Sequence, residues 1–392
     1  MNRVERHVIS NNKELDHLCW LSKNLYNYAN YCLRQSFTKT GKLPSEYELT
    51  GKLARRNQVD YKALPSQTSQ QIIKLLYKNW KSFFRAIKEY KKNPSKFKGR
   101  PKLPMYKEKD GQNIILFTRQ QCKIKGGYIK FPKQAINKLK TKVNNVVQVR
   151  IVPQATCHII EVVYDKEVQI NENLKKENLL AIDVGVNNLA TCVNNVGEQP
   201  FIINGKPLKS INQYSNKLKA KYMSYIGDRG TSKNIKRVIL KRNNLITNYI
   251  HHASKFIVNY CLSNNIGTII IGHNKGWKQE SNIGKKSNQN FVSIPFNILI
   301  QQIQYKAEEV GIEVVVTEES YSSKIDHLAF ETMEHHESYL GKRVKRGLFK
   351  SSTRKYLNAD VNGAIGIARK VAGDEFVKNL ISRGQALCPI KL

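Results

Sequence analysis

Residues 179–190 read LLAIDVGVNNLA, an apolar run that ends in Asp183 and turns at Gly185, Asn187 and Asn188. A run this short, with turn residues behind it, predicts a buried strand rather than a helix. A carboxylate closing such a strand is costly to bury unless it is paired or holds a metal. Far downstream, Asn358-Ala359-Asp360-Val361-Asn362-Gly363 opens an apolar helical pattern of Ala364, Ile365, Ile367, Ala368 and Val371. Taken singly, Asp183 could end a strand at a solvated hairpin, and Asp360 could be a helix N-cap. Taken together, one acid on a strand and one opening a late helix are what a two-metal phosphodiester-cleaving site needs. Its two divalent cations must be held by hard oxygen ligands.

The elements that must position these acids follow a readable order. Residues 3–10 predict a strand. Residues 12–36 predict a helix with Leu15, Leu18, Leu21, Leu25, Tyr28 and Cys32 at near-helical spacing. After a polar break near residues 40–44, a second helix runs from Ser66 to about Tyr90. Its apolar face carries Ile72, Leu75, Leu76, Trp80, Phe83, Phe84 and Ile87, read first as a seam between helices and only second as base-stacking rings. The stretch KKNPSKFKGRPKLPMYKEK, 91–109, sets Phe97 and Tyr106 among cations. It predicts an ordered basic connector rather than a loose linker, with Lys96, Lys98, Arg100 and Lys102 as nucleic-acid-binding candidates. Short alternating runs at 114–118, 122–125, 128–131, 146–152 and 156–164 predict a small antiparallel barrel or sandwich.

From residue 179 the pattern becomes α/β. Strands are expected at 179–186, 189–195 and 200–204. A polar helical region at 207–264 is broken by Gly227-Asp228-Arg229-Gly230. Buried strands at 267–273 and 312–317 flank an amphipathic helix at 294–310. Three strands, a helix, then strand–helix–strand–helix describes a ribonuclease H-like layer architecture. The expected fold is therefore multidomain, α/β and α+β. A β-barrel, wedge-like domain would use residues 1–10 and 99–178, with a helical recognition lobe, 11–98, inserted. The ribonuclease H-like domain would span 179–392 with a helical insertion.

Composition narrows the partner. The 392 residues leave room for two or three domains. Lys and Arg number 66 against 30 Asp and Glu, and the resulting +36 is spread along the whole chain, which implies a polyanion, nucleic acid foremost. No apolar run reaches the roughly 18 residues of a membrane span, and MNRVERHVISNN does not read as a signal peptide. A cytoplasmic protein without a membrane partner is expected. Seven scattered cysteines form no CxxC pair, which fits a reducing compartment and gives no cysteine zinc ribbon.

The motifs also resemble a known family. AIDVGVNNLAT, IIIGHNKGWKQ, TEESYSSK and NADVNGAIGIARK resemble the RuvC-type nuclease motifs of TnpB proteins. These are transposon-encoded chains, often called OrfB transposases, related to type V CRISPR effectors. LPSQTSQQIIKLLYKNWKSFFRAIK with the following KFKGRPK is similar to that family's N-terminal half, so the resemblance spans nearly the whole chain. It implies an RNA-guided DNA endonuclease whose N-terminal part holds a guide RNA and reads a short motif beside a double-stranded target. By match, Asp183 is the first catalytic carboxylate and Asp360 the third.

Two departures from the family matter. The fourth strand usually ends in Glu, and here that position is Gly272. The nearest replacements are Glu318 and Glu319 at the end of the neighbouring strand. Both are candidates, Glu319 also as a metal ligand beside Asp183 and Asp360, while Glu280 in a polar loop is a weaker one. The paired cysteines of the family's zinc finger are missing from 322–357. His327, His335, His336, Glu331 and Glu334 match no zinc pattern there and read as surface residues, so no zinc is expected. That insert carries GKRVKRGLFK, whose Lys342, Arg343, Lys345 and Arg346 suit backbone contacts.

The expected mechanism is hydrolysis with two Mg²⁺, or Mn²⁺, held by Asp183, Asp360 and one of the two glutamates. Asn358, Ser322 and Ser323 are supporting candidates, and Lys275, Lys278 and Lys324 are weak candidates for holding phosphate. The alternatives are a nuclease-inactive RNA-guided DNA-binding repressor, a DNA-joining transposase and a junction-selective nuclease.

Overall fold

The computed structural model describes residues 1–10, 12–132, 136, 138–227, 230–274, 284–382 and 389–392. The chain divides into two units, Met1–Lys166 and Glu167–Leu392.

The first unit opens with strand β1, Asn2–Ser10. Helix α1, Lys13–Thr40, starts where the Asn12 side chain accepts from the Leu15 N–H. Helix α2, Glu46–Arg55, is set by a capping box between Ser45 and Glu48. A short α3, Val59–Ala63, leads to α4, Ser66–Lys92. Strands follow: β2, Ile115–Thr118; β3, Lys123–Lys125; β4, Tyr128–Lys130; β5, Leu139–Lys140; β6, Val146–Pro153; and β7, Cys157–Asp165. Leu25 and Leu33 of α1, Ile72, Leu76 and Trp80 of α4, and Val149 and Val162 of the sheet are wholly buried in one cluster. The rings of α4 are thus mainly a seam between helices.

The described pairings join β1, β7, β6 and β2 in one antiparallel sheet and β3, β4 and β5 in another. The sequence predicts a small antiparallel barrel or sandwich here; among the described residues the pairings give these two antiparallel sheets.

The second unit begins with β8, Lys175–Asp183, then β9, Asn188–Asn194, and β10, Phe201–Asn204. Helices α5, Lys206–Ile226, and α6, Lys233–Ser263, lead to β11, Ile266–Gly272. Then come α7, Lys285–Ser293; α8, Phe296–Glu309; and β12, Glu313–Thr317. A small antiparallel sheet of β13, Lys342–Lys345; β14, Leu348–Lys350; and β15, Tyr356–Asn358, precedes α9, Ala359–Ser382. Strand β16, Ile390–Lys391, closes the chain.

The main sheet runs β12-β11-β8-β9-β10-β16, with β12, β11 and β8 parallel and β9 antiparallel to its neighbours β8 and β10. Both faces are covered, which is why its strands read as continuous apolar runs. Leu180, Ile182, Ile269 and Ile271 share one core with α6 and α8. The intervening Ala181 and Ile270 share another with α9.

Candidate active site

Strand alternation aims the first acid. Ile182 faces the α6 and α8 side, so the next residue, Asp183, faces α9 with Ala181. It stands at the carboxyl end of β8, where β11 and β12 also end, and open α/β sheets present their chemistry at such ends. The helix comes close: a Cβ at Gly363 would lie 2.9 Å from Asp183 Oδ2. Only a glycine lets α9 approach the carboxylate this far. Asn358 caps α9, its Oδ1 accepting from the N–H groups of Asp360 at 2.9 Å and Val361 at 3.3 Å. That cap fixes Asp360 in the helix's first turn.

The two candidate glutamates separate clearly. Gly272 pairs with Thr317 across β11 and β12, two residues before Glu319. A Cβ built on Gly272 would lie 2.8 Å from Glu319 Cγ and 2.8 Å from Ile367 Cγ1. The Glu319 side chain therefore lies against the spot from which a side chain at 272 would start. Its backbone N–H donates to Asn274 Oδ1 at 2.9 Å, and its Oε1 is buried without a hydrogen-bond partner. Burial pushes its carboxyl up to about 7, against the opposing pull of Lys370. Glu318 instead points to solvent and meets Lys370 Nζ at 3.3 Å. Hydrogen bonding to Ser320, then Lys370, holds its carboxyl below the usual range. Glu318 is not brought to Asp183.

Burial, then Glu319, then Asp360 push the Asp183 carboxyl well above its ordinary range, and Arg343 pulls it back. Two further acids within electrostatic reach of Asp183 are unfavourable without a counter-charge. Asp360 is held by neighbours: Asn188 Nδ2 donates to its Oδ2 at 2.6 Å, and Arg343 stands 3.5 Å from its Oδ1. Among the described residues, no three His, Cys, Asp or Glu side chains converge as a finished metal cage. The donor set nonetheless fits hard divalent cations: it is all carboxylate, it includes an unpartnered buried oxygen on Glu319, and its Asp183 is strained towards protonation.

Of the insert residues read as surface, Glu334 and His335 are exposed, whereas His327 and Glu331 are not. His327 is wholly buried and Glu331 nearly so. The Glu331 carboxylate accepts from the Asp326 N–H at 2.7 Å and the Leu340 N–H at 2.8 Å. Buried Asp326 accepts from Ser351 Oγ, Ser352 N and Ser352 Oγ at 2.7–2.9 Å. His327 Nε2 bonds the Ser322 carbonyl at 2.7 Å, and burial lowers its ring to about 4. Arg369 of α9 donates to the carbonyls of Glu331 and Phe330. These side chains are the insert's interior, because a small three-stranded sheet must satisfy its loops' backbone groups from within. Ser322 supports the backbone of Glu319 by donating to its carbonyl at 2.9 Å.

Lys96, Lys98, Arg100 and Lys102 are exposed, with Lys96 3.2 Å from Glu89. Lys342, Arg343, Lys345 and Arg346 are exposed on the β13–β14 hairpin, and of these Arg343 meets a candidate carboxylate, that of Asp360. Lys324 lies 5.9 Å from the Tyr339 ring centroid, and Ser323 is exposed. Lys275, Lys278 and Glu280 lie outside the described residues. Sequence reasoning missed Asn188 as a partner of Asp360 and Asp326 as the insert's anchor. Asn188 read as a turn residue, and Asp326 sits in no motif.

A mixed α/β protein with acids gathered at the carboxyl ends of parallel strands is the class this geometry defines. Residues 161–278 match the family described as OrfB_IS605, probable transposase, and residues 296–367 match the Cas12f1-like TNB domain. Over these two stretches the chain resembles the proteins those two family models describe, as its motifs do in sequence. The structure is similar to that in the cryo-EM structure of the Cas12f1-sgRNA-target DNA complex. That match has a TM-score of 0.54 at 16% identity and covers 90% of this chain and 81% of that one, which establishes a shared fold. A second similarity, TM-score 0.45 at 8% identity, is to the mini-RNA-guided endonuclease CRISPR-Cas_phi3, covering 94% of this chain and 92% of that one. No curated protein matches the chain. No helix among the described residues is long and apolar enough to cross a membrane.

Proposed function

We propose that this chain is an RNA-guided DNA endonuclease of a mobile element, and that residues 167–392 form a ribonuclease H-like (RuvC) domain. The observation that carries the reading is Glu319. It follows β12, the strand beside β11, and its side chain lies against the space over Gly272 and within electrostatic reach of Asp183. The acid missing from β11 is supplied from one strand over. Strand order, the two family segments and the fold shared with the Cas12f1 chain support the same reading. The Cas12f1 complex holds an sgRNA and target DNA, and this chain's +36 charge suits the same kinds of partner.

Asp183, Glu319 and Asp360 would hold the Mg²⁺ or Mn²⁺. When bound, two such ions supply an activated water and a counter-charge for the departing 3′ oxygen. Asn188 orients Asp360 through its 2.6 Å hydrogen bond, as supporting groups do for metal-binding carboxylates. Arg343 neutralises Asp360 through a half-exposed pair, worth little by itself, and can turn to a phosphate when DNA enters. Guide pairing would read the sequence while the protein reads backbone shape and a short flanking motif.

The test is plasmid cleavage by the protein purified with its retained RNA. Targets would match the RNA's 3′ end beside randomised flanking sequence. Cutting that needs both the match and Mg²⁺ or Mn²⁺, and is lost in Asp183→Ala, is the expected result. Tight matched binding without cutting would favour the repressor, and guide-free joining of transposon ends the transposase.

A further inference from the structure

The connector between α4 and β2 is held as a wall. Helix α1 presents Lys23, Asn27, Asn30 and Arg34 on one face, and each donates to a connector carbonyl. Lys23 Nζ reaches Lys109 at 2.7 Å and Asn27 Nδ2 reaches Lys107 at 3.0 Å. Asn30 Nδ2 and Arg34 both reach Pro104, at 2.9 and 2.5 Å. Asn27 Oδ1 accepts back from the Lys107 N–H at 2.8 Å. Pro101 and Pro104 have no N–H to satisfy, so an isolated extended wall costs little there.

Between this wall and α4 lies a cleft of about 440 Å³. Ser82 and Ala86, one turn apart on α4, keep one side low, and the rings of Tyr26 and Phe83 line it. Met105 and Tyr106 stand at the wall, 72% and 44% exposed. The Arg34 guanidinium sits 4.7 Å from the Tyr106 ring centroid, and a ring braced by a cation on one side offers its other face as a platform. Lys102 and Lys107 add positive charge. Asn79 donates to the Tyr26 hydroxyl at 3.1 Å, which fixes its amide at the edge. A fixed exposed ring, a thioether, a fixed amide and cations suit a flat, polar-edged aromatic attached to phosphate.

We propose that this cleft takes one unpaired nucleobase of a single-stranded nucleic acid, stacked on Tyr106 with its backbone beside Lys102 and Lys107. The proposal rests on the nucleic-acid reading above and adds a site to it. The strand's source is either a guide RNA or a displaced DNA strand, which share this chemistry.

The full-length protein would be titrated with short oligouridylate and oligothymidylate strands carrying one 2-aminopurine, and with a DNA duplex. Wild type should quench the 2-aminopurine on binding. Tyr106→Ala should abolish the quench and weaken single-strand binding about 5- to 150-fold, leaving duplex affinity unchanged. Tyr106→Trp should restore both quench and affinity, which a merely structural role for the hydroxyphenyl ring would not allow. A stronger effect on oligouridylate assigns the site to RNA, and on oligothymidylate to DNA. Unchanged single-strand affinity in Tyr106→Ala, or equal loss for single strand and duplex, overturns the proposal. Binding by wild type without quench overturns the cleft alone. No binding of any strand at low salt overturns the nucleic-acid reading itself.

Discussion

Adding a methyl group at position 272 probes the arrangement at its tightest point. In Gly272→Ala the new Cβ would lie 2.8 Å from Glu319 Cγ and 2.8 Å from Ile367 Cγ1, and closer still to Ile367 Cδ1. Carbon atoms rest about 3.5–4.0 Å apart, so the overlap approaches 1 Å or more. Glu319 is a flexible chain and can retreat. Ile367 is wholly buried in the α9 core and must leave its rotamer. Overpacking of this kind costs about 1–3 kcal/mol. Ile367→Ala alone opens a cavity at about 2–5 kcal/mol. Were the sites independent, the double variant would lose the sum. Here the deleted atoms are those the new methyl strikes, so the double variant should cost no more than Ile367→Ala alone, a coupling of about 1–3 kcal/mol. Hydrogen exchange of the β11 and α9 amides reads this locally, without treating the two units as one transition. Wild-type protection in Gly272→Ala, or costs that simply add, would refute the close packing on which the relocated glutamate depends.

Three further outcomes follow from the same geometry. His327 has its ring lowered to about 4 from 6.5, chiefly by burial, so the unfolded chain takes up the proton first as pH falls. Its contribution is complete above pH 6.5 and is lost as pH falls towards 4, about 3 kcal/mol in all; thermal unfolding of His327→Gln should show a flatter pH dependence over that window. Asp326→Ala removes the acceptor for Ser351 Oγ and for the N–H and Oγ of Ser352. Ser351 Oγ keeps Thr353 Oγ1 at 2.8 Å and Ser352 is exposed to water, so the loss should cost about 1–3 kcal/mol, seen as faster proteolysis within residues 330–355. Chelation should leave that proteolysis pattern unchanged in the wild type, since carboxylates brace the insert from inside; a chelator that loosens it would show that a metal does so instead.

The second unit was legible because its strands are buried on both faces and its helices are long. Continuous apolar runs such as GTIIIGH and patterns such as 294–310 announce themselves. The start of β8 at Lys175 was missed because pairing with β11 extends the strand into the charged stretch before Leu179. Helix α2 was missed although Ser45 and Glu48 spell a capping box, since ten residues with two buried leucines make a weak period. Asp183 and Asp360 were visible as acids at element ends. Choosing Glu319 over Glu318 was not possible from spacing, because both follow β12 directly, and the packing of Glu319 beside Gly272 separates them. The interior of the insert was hidden for a related reason: Glu331 serves backbone groups 5 and 9 residues away and Asp326 one 26 residues away, spacings that follow no period.

The most direct measurement compares guided DNA cleavage by wild type, Glu319→Gln and Glu318→Gln, each loaded with the same RNA and given Mg²⁺. Both substitutions keep shape and remove one charge. The account predicts that Glu319→Gln binds matched target as wild type does and cuts about 100-fold more slowly or worse, whereas Glu318→Gln cuts at the wild-type rate. Undiminished cutting by Glu319→Gln, or its loss only in Glu318→Gln, would contradict the claim that Glu319 replaces the acid missing at Gly272.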